Sequence, residues 1–360
     1  MLNILKQVNI NNVSAFYKQY DLVFKQPSGT SRGILTTKKS YFIFLQNNNI
    51  TAIGECGILQ GLSCDDVPEY EEVLQRVCSD IANYEYWLNE GLIKFPSIRF
   101  GLEMALLDLH YGGNRILFPS AFTNNEADIY INGLIWMGTK NAMQQQIEAK
   151  LNEGFKCLKL KIGAIDFNEE IALLEFIRAK FPPEQLEIRV DANGAFNIED
   201  ALQKLNILNA FSLHSIEQPI KAGQWQPMAQ LCKQAPFPIA LDEELIGIHT
   251  FQQKQQLLTE IQPQYIILKP SLLGGIESCN EWIQLANEMN IGWWITSALE
   301  SNIGLNAIAQ YTFILNNKMP QGLGTGQLYT NNFDSPLTLV GDRLFYNPEK
   351  RWQLNTLLNS

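Results

Sequence analysis

From about residue 129 to residue 326 the chain repeats one unit: a short β-rich apolar run, then an amphipathic stretch. Strand-like runs fall at 129–135, 157–162, 186–192, 211–217, 238–242, 265–269 and 292–297, with a short last one at 321–326. Helical periodicity falls between them, at 142–151, 169–180, 198–208, 224–233, 250–258, 276–289 and 303–315. Strands separated by helices pair in parallel, and eight such units favour a closed barrel over an open sheet. The expected class is therefore α/β, a modified TIM-like (β/α)8-type barrel. No G-x-G-x-x-G follows the first strand and no P-loop occurs, so a dinucleotide or nucleotide fold is the weaker choice.

The chain before residue 125 follows another grammar. Residues 1 to about 57 read as strands, with a hairpin from Ser40–Leu45 to Ile50–Glu55. Residues 65 to about 112 read as helices, the first capped by Asp65 or Asp66 and another opened by Pro96 and Ser97. Strands followed by helices describe a small α+β domain. The expected division is a capping domain at 1–125, the barrel at 126–326, and a segment at 327–360 packing back on the capping domain. The small-residue stretch Ser28–Gly33 reads as a connector or as a lid.

Composition narrows the partners. A formal net charge of -10 without a basic block argues against nucleic acid and anionic membranes. No apolar run reaches the ~18 residues of a membrane span, and the start lacks the pattern of a signal peptide. The six cysteines are scattered, with no C-x-x-C pair, which reads as reduced thiols and a cytoplasmic chain.

The chemistry lies at the strand ends. Lys161, Asp191, Glu217, Asp242, Lys269 and Ser297 close successive strand runs at steps of 25 to 30 residues. In a barrel this sets one polar group from each of six strands on the rim where barrel enzymes work. Helix capping would select Ser, Thr, Asp and Asn, and so explains neither Glu nor Lys. Three carboxylates on adjacent strands repel unless a cation joins them. An all-oxygen set favours Mg²⁺, with Mn²⁺ as a substitute, whereas zinc would want His or Cys. Lys159 shares a strand face with Lys161. A bare K-x-K is ordinarily a solvated face; buried beside each other, the two ammonium groups are expected to lower at least one pKa and provide a base. Parity turns Glu243 toward the helices.

These residues resemble the enolase superfamily, muconate-lactonizing branch, over nearly the whole chain. The resemblance rests on Lys159-Leu160-Lys161, Asp191-Ala192-Asn193, Glu217-Gln218-Pro219, Asp242-Glu243 and Lys269-Pro270. It implies that Lys161 is the base, that Asp191, Glu217 and Asp242 hold Mg²⁺, and that Lys269 faces the substrate from the other side, with Lys159 tuning Lys161. A lysine base with Mg²⁺ stabilising an enediolate is the known pairing of such sites. Further stretches, Gly61–Asp66, Pro96–Glu103, Ile131–Gly138 and Ser297–Asn302, resemble the dehydrating members of the branch, as does Arg189. They imply a carbon-oxygen lyase that removes water from 2-succinyl-6-hydroxy-2,4-cyclohexadiene-1-carboxylate in menaquinone biosynthesis. Ser297 and Arg189 are then expected substrate contacts. Lysines on both faces equally permit 1,1-proton transfer, as in N-succinylamino acid racemases or dipeptide epimerases. A barrel that only binds a small acid is disfavoured by the intact lysines and acids.

Overall fold

A computed structural model describes residues 2–30, 33–47 and 49–358. Its N-terminal part is built on an antiparallel sheet of β1 (Ser14–Thr30), β2 (Gly33–Asn47) and β3 (Ile50–Cys56), in that order. A short helix, Leu2–Leu5, precedes it where only strands are expected. Successive side chains of β2 point to opposite faces. Tyr41, Ile43 and Leu45 join the main core, with residues of the helices Tyr70–Ser79 and Pro96–His110. Phe42 and Phe44 pack with Ile303, Phe333, Leu354 and Leu357, from a barrel helix and the C-terminal tail. Burial on both faces is why residues 41–45 read as an unbroken apolar run.

Two glycines let the helix Pro96–His110 lie directly on β3. A Cβ on Gly54 would stand 1.8 Å from the Gly101 carbonyl oxygen, and one on Gly101 would stand 2.4 Å from the Cys56 sulfur. The expected cap is corrected here. Asp65 accepts hydrogen bonds from the Ser97 N–H and hydroxyl, at 2.9 and 2.7 Å, and so serves the helix Pro96–His110. Asp66 accepts from the Gly61 N–H at 2.8 Å. A cap is set by space rather than by sequence distance, and the 59–66 turn carries Asp65 to the later helix. The stretch expected as a loop instead continues β1, pairing Ser28 with Leu35 and Thr30 with Gly33. Of the lid expected at Ser28–Gly33, residues 31 and 32 and the side chains of 28–30 lie outside the described residues.

The expected strand at 129–135 divides. Its first part, β4 (Ile129–Tyr130), leaves for a separate small sheet. Its second, β5 (Gly133–Ile135), opens a parallel sheet. That sheet runs on through β6 (Cys157–Lys161), β7 (Glu187–Asp191), β8 (Ser215–Glu217), β9 (Ile239–Leu241), β10 (Tyr265–Leu268) and β11 (Gly292–Ile295). Helices cover its outside between strands. The eighth station is two residues rather than a strand: Gln321 bridges to Ile131 and Gly322 to Thr296, closing the barrel. Glycines at 322, 324 and 326 leave this segment little strand propensity. Then β12 (Leu337–Val340) and β13 (Arg343–Tyr346) form a hairpin that takes β4 as its third strand. The C-terminal segment thus touches the barrel through this sheet and the N-terminal sheet through Leu354 and Leu357. No helix among the described residues is long and apolar enough to cross a membrane.

Overpacking of this kind costs ~1–3 kcal/mol. Gly54→Ala is therefore expected to lower stability by about 2 kcal/mol or more in urea unfolding. A loss below about 0.5 kcal/mol would contradict the close packing of the helix on β3.

Candidate active site

The parallel register assembles the site. Pairing of β6, β7 and β8 sets Lys161 opposite Asp191 and Asp191 opposite Glu217. Asp242 follows the end of β9, and Lys269 follows β10 as the residue before the short helix Pro270–Leu273. One carboxylate oxygen from each of Asp191, Glu217 and Asp242 lies within 4.8 Å of the other two. All three acids are buried.

The lysines are wired into this cluster. Lys159 is buried and bonds both Glu217 and, at 2.9 Å, Asp191 Oδ2. Lys161 reaches Asp191 Oδ2 at 2.6 Å and Asn193 Oδ1 at 2.7 Å. Lys269 reaches Asp242 Oδ2 at 2.5 Å. In an eight-station barrel β6 and β10 stand four stations apart, so Lys161 and Lys269 face each other across the mouth.

At Lys159 and Lys269 this arrangement produces the opposite of the expected fall in lysine pKa. Burial opposes charge on Lys159, but Asp191, Glu217 and Asp242 outweigh it and hold the ammonium above the usual lysine range. Lys269 is likewise raised against its burial, by Asp242 and Glu243. The lysine-lysine repulsion is real, but carboxylates outnumber the lysines. Asp191 falls well below the carboxylate range: burial works against its charge, and Lys159 and Lys161 overcome it. Glu217 is pushed up to about 8 by burial, with Asp191 and Asp242 adding to the shift and Lys159 opposing it.

That excess of negative charge is the test for a cation. Glu217 Oε1 is buried with no hydrogen-bond partner. Mg²⁺ takes oxygen ligands at ~2.1 Å, so opposite ligands stand about 4 Å apart. Three buried carboxylates with oxygens within 4.8 Å of one another, and an unpaired oxygen on Glu217, fit such an ion.

Two expectations about neighbouring residues are corrected. Glu243 lines the cavity, and its Oε1 accepts from Asn193 Nδ2 at 2.9 Å. Parity fails because β9 ends at Leu241 and the chain turns through Asp242 into a 3-10 turn, Glu243–Leu245. Arg189 does not line the cavity, contrary to the expected substrate contact. It is fully buried, bonded to Glu187 at 2.7 Å and the Pro320 carbonyl at 2.9 Å, with its guanidinium over the Trp294 ring. Sitting two residues before Asp191 on the same face, it belongs to the layer beneath the acids.

Ser297 does line the cavity, its hydroxyl 2.7 Å from that of Thr325. None of the three histidines does. Gln218, in the left-handed region at φ 38°, accepts from the Asp242 and Glu244 N–H groups and so fixes the turn that presents Asp242. Nothing in the spacing marks Gln218 out. Apolar side chains complete the walls: Leu59 and Leu62 from the loop after β3, Leu134 and Trp136, Leu272, and Leu299.

The Enolase C-terminal domain-like family model matches residues 142–345. The chain is 51% identical to an o-succinylbenzoate synthase from Desulfotalea psychrophila, over 91% of this chain and 97% of that one. The crystal structure of MenC from the same organism superposes with a TM-score of 0.82 at 47% identity, covering 93% and 99% of the two chains. A dipeptide epimerase from Enterococcus faecalis, complexed with Mg and L-Leu-L-Tyr, superposes with a TM-score of 0.80 over 94% and 98%. At 18% identity it speaks to the fold alone.

Mg²⁺ is expected to raise the melting temperature by several degrees, and excess chelator to reverse the gain. Glu217→Ala should remove the effect in calorimetry. An unchanged Mg²⁺ response in that variant would show that the ion binds elsewhere.

Proposed function

We propose that this chain, which belongs to the enolase superfamily, dehydrates 2-succinyl-6-hydroxy-2,4-cyclohexadiene-1-carboxylate to o-succinylbenzoate. The observation that carries the choice of substrate is the 51% identity to an o-succinylbenzoate synthase along almost all of both chains. The reaction class is supported by the two lysines across one cavity, with the acidic cluster beside them.

Asp191, Glu217 and Asp242 would hold Mg²⁺, or Mn²⁺ in its place, which when bound supplies positive charge beside the substrate carboxylate. The small carboxylate substrate sits with its ring against the apolar walls at Leu62, Trp136 and Leu272. Lys161, as the free amine, takes the proton from the ring carbon that bears the carboxylate. The electrons left behind form an enediolate. Lys269 stays an ammonium, held so by Asp242 and Glu243, and stabilises that charge from the opposite wall. The lysine proton then passes to the ring hydroxyl, the C–O bond breaks, and water leaves as the ring becomes aromatic. One C–H and one C–O bond are lost, and Lys161 returns to the amine. Lys159 remains an ammonium between Asp191 and Glu217, keeping two acids together that otherwise repel. Asn193, held by Glu243, aims the Lys161 amine. This reading makes the chain a cytoplasmic enzyme of menaquinone biosynthesis.

The purified protein with Mg²⁺ is expected to form o-succinylbenzoate from the cyclohexadiene acid. No turnover, alongside rapid deuterium uptake into an N-succinylamino acid, would replace dehydration by 1,1-proton transfer at the same lysines. Lys161→Ala is expected to lower kcat by ~10³-fold or more without changing the circular dichroism spectrum, on the scale of a lost general base. Retained turnover would mean that another group is the base.

A further inference from the structure

Behind the cavity wall lies a second buried polar cluster that the proposed chemistry does not use. It joins Lys38 of β2, Glu55 of β3 and Glu300, all fully or almost fully buried. Lys38 bonds the Ser40 hydroxyl at 2.9 Å, and Ser40 donates to Glu55 Oε1 at 2.9 Å. Glu55 also accepts from the Ser301 N–H at 2.9 Å, the Ser301 hydroxyl at 2.5 Å and the Gly304 N–H at 2.9 Å. These last donors open the helix Asn302–Ile314, so a carboxylate of the N-terminal sheet caps a barrel helix.

Glu300 faces the other way. Its Oε2 accepts from the Ala298 N–H at 2.6 Å, and its Oε1 from the Ser271 hydroxyl. Ala298 and Leu299 line the cavity, as does Leu272, the neighbour of Ser271. Leu299 stands in the left-handed region at φ 65°, which a branched side chain rarely adopts. Such a conformation persists only where its surroundings fix it. Here the Glu300 carboxylate holds one side, and Tyr329, donating to the Leu299 carbonyl at 2.7 Å, holds the other. Through Ser271 the same carboxylate reaches the turn that begins at Lys269.

A buried carboxylate is costly unless it is matched by charge and hydrogen bonds. Lys38 reaches Glu55 through the Ser40 hydroxyl, while the Glu300 carboxylate is met by the Ala298 N–H and the Ser271 hydroxyl. Replacing the trio by hydrocarbon would leave Leu299 and the Ser271 turn without their anchor.

We propose that Glu300 is a positioning residue that shapes the Ala298–Leu299 wall to seat the part of the substrate remote from the lysines. The proposal rests on the dehydratase reading above, but it can be read independently through product binding. Glu300 bonds the Ala298 N–H and the Ser271 hydroxyl rather than the lysines or the acids, so its loss is expected to fall on binding more than on the chemical step.

Glu300→Gln keeps the shape and loses the charge and one acceptor. With Mg²⁺ present, it is expected to raise KM for the cyclohexadiene acid at least tenfold while kcat falls less than threefold. Calorimetry should show the Kd of o-succinylbenzoate weakened by a similar factor. Glu300→Asp, which restores the charge, should recover part of the loss. Ser271→Ala, which leaves the Glu300 bond to the Ala298 N–H intact, should give a smaller rise in KM and serves if Glu300→Gln fails to fold. KM and product Kd both within twofold of wild type in the soluble variants would overturn the proposal. So would a large fall in kcat at unchanged KM. If the wild type turns over no cyclohexadiene acid, the dehydratase reading fails while the product Kd ratio still decides the role of Glu300.

Discussion

Lys159 bonds Asp191 and Glu217 inside a barrel that would otherwise close over hydrocarbon. Around this contact stand three lysines and four carboxylates, counting Glu243, in one barrel mouth. Charges taken out of water cost several kcal/mol each unless they are matched. Four carboxylates crowd round the lysines, and the strain shows where the acids meet: Glu217 is pushed up to about 8. A divalent cation would supply the positive charge that this cluster, and a substrate with carboxylates, calls for. The lysines are thus part of the same balance as the metal, and moving any one of them disturbs the rest.

The rest of the fold serves to bring these groups to one place. Parallel pairing in register puts Lys161, Asp191 and Glu217 side by side, and the Gln218 turn adds Asp242. Among the described residues, the N-terminal sheet and its loops add no charge to the cavity lining. The loop after β3 helps close the cavity with Leu59 and Leu62, and the sheet reaches under the wall through Lys38 and Glu55. Tight contact at Gly54 and Gly101 holds the helix Pro96–His110 flat against that sheet. The chemistry thus comes from the barrel strands, and the shape of the cavity from both parts of the chain.

Much of this was legible in the residues. The repeat of strand and helix is local, and polar groups at regular strand-end steps stand out because apolar strands should not carry them. What stayed hidden depends on geometry that the repeat does not encode. Glu243 was turned the wrong way because alternation holds only while a strand lasts, and β9 stops at Leu241. Arg189 has the right face and the wrong depth, since parity gives direction and not layer. The lysine pKa expectation considered the two lysines alone and missed that the carboxylates would outnumber them. The division of 129–135 follows from β13, a partner some two hundred residues away. Lys38, Glu55 and Glu300 meet across an even longer span, and no spacing rule joins them.

The central claim is that one divalent cation completes the charge balance among Asp191, Glu217 and Asp242. A crystal structure with Mn²⁺, read by its anomalous signal, tests it most directly. The account requires one strong peak within ~2.3 Å of an oxygen from each of these three residues, with Glu217 Oε1 either bound to the ion or bonded to its water. No peak there, or a peak held by Glu243 away from Glu217, would contradict it.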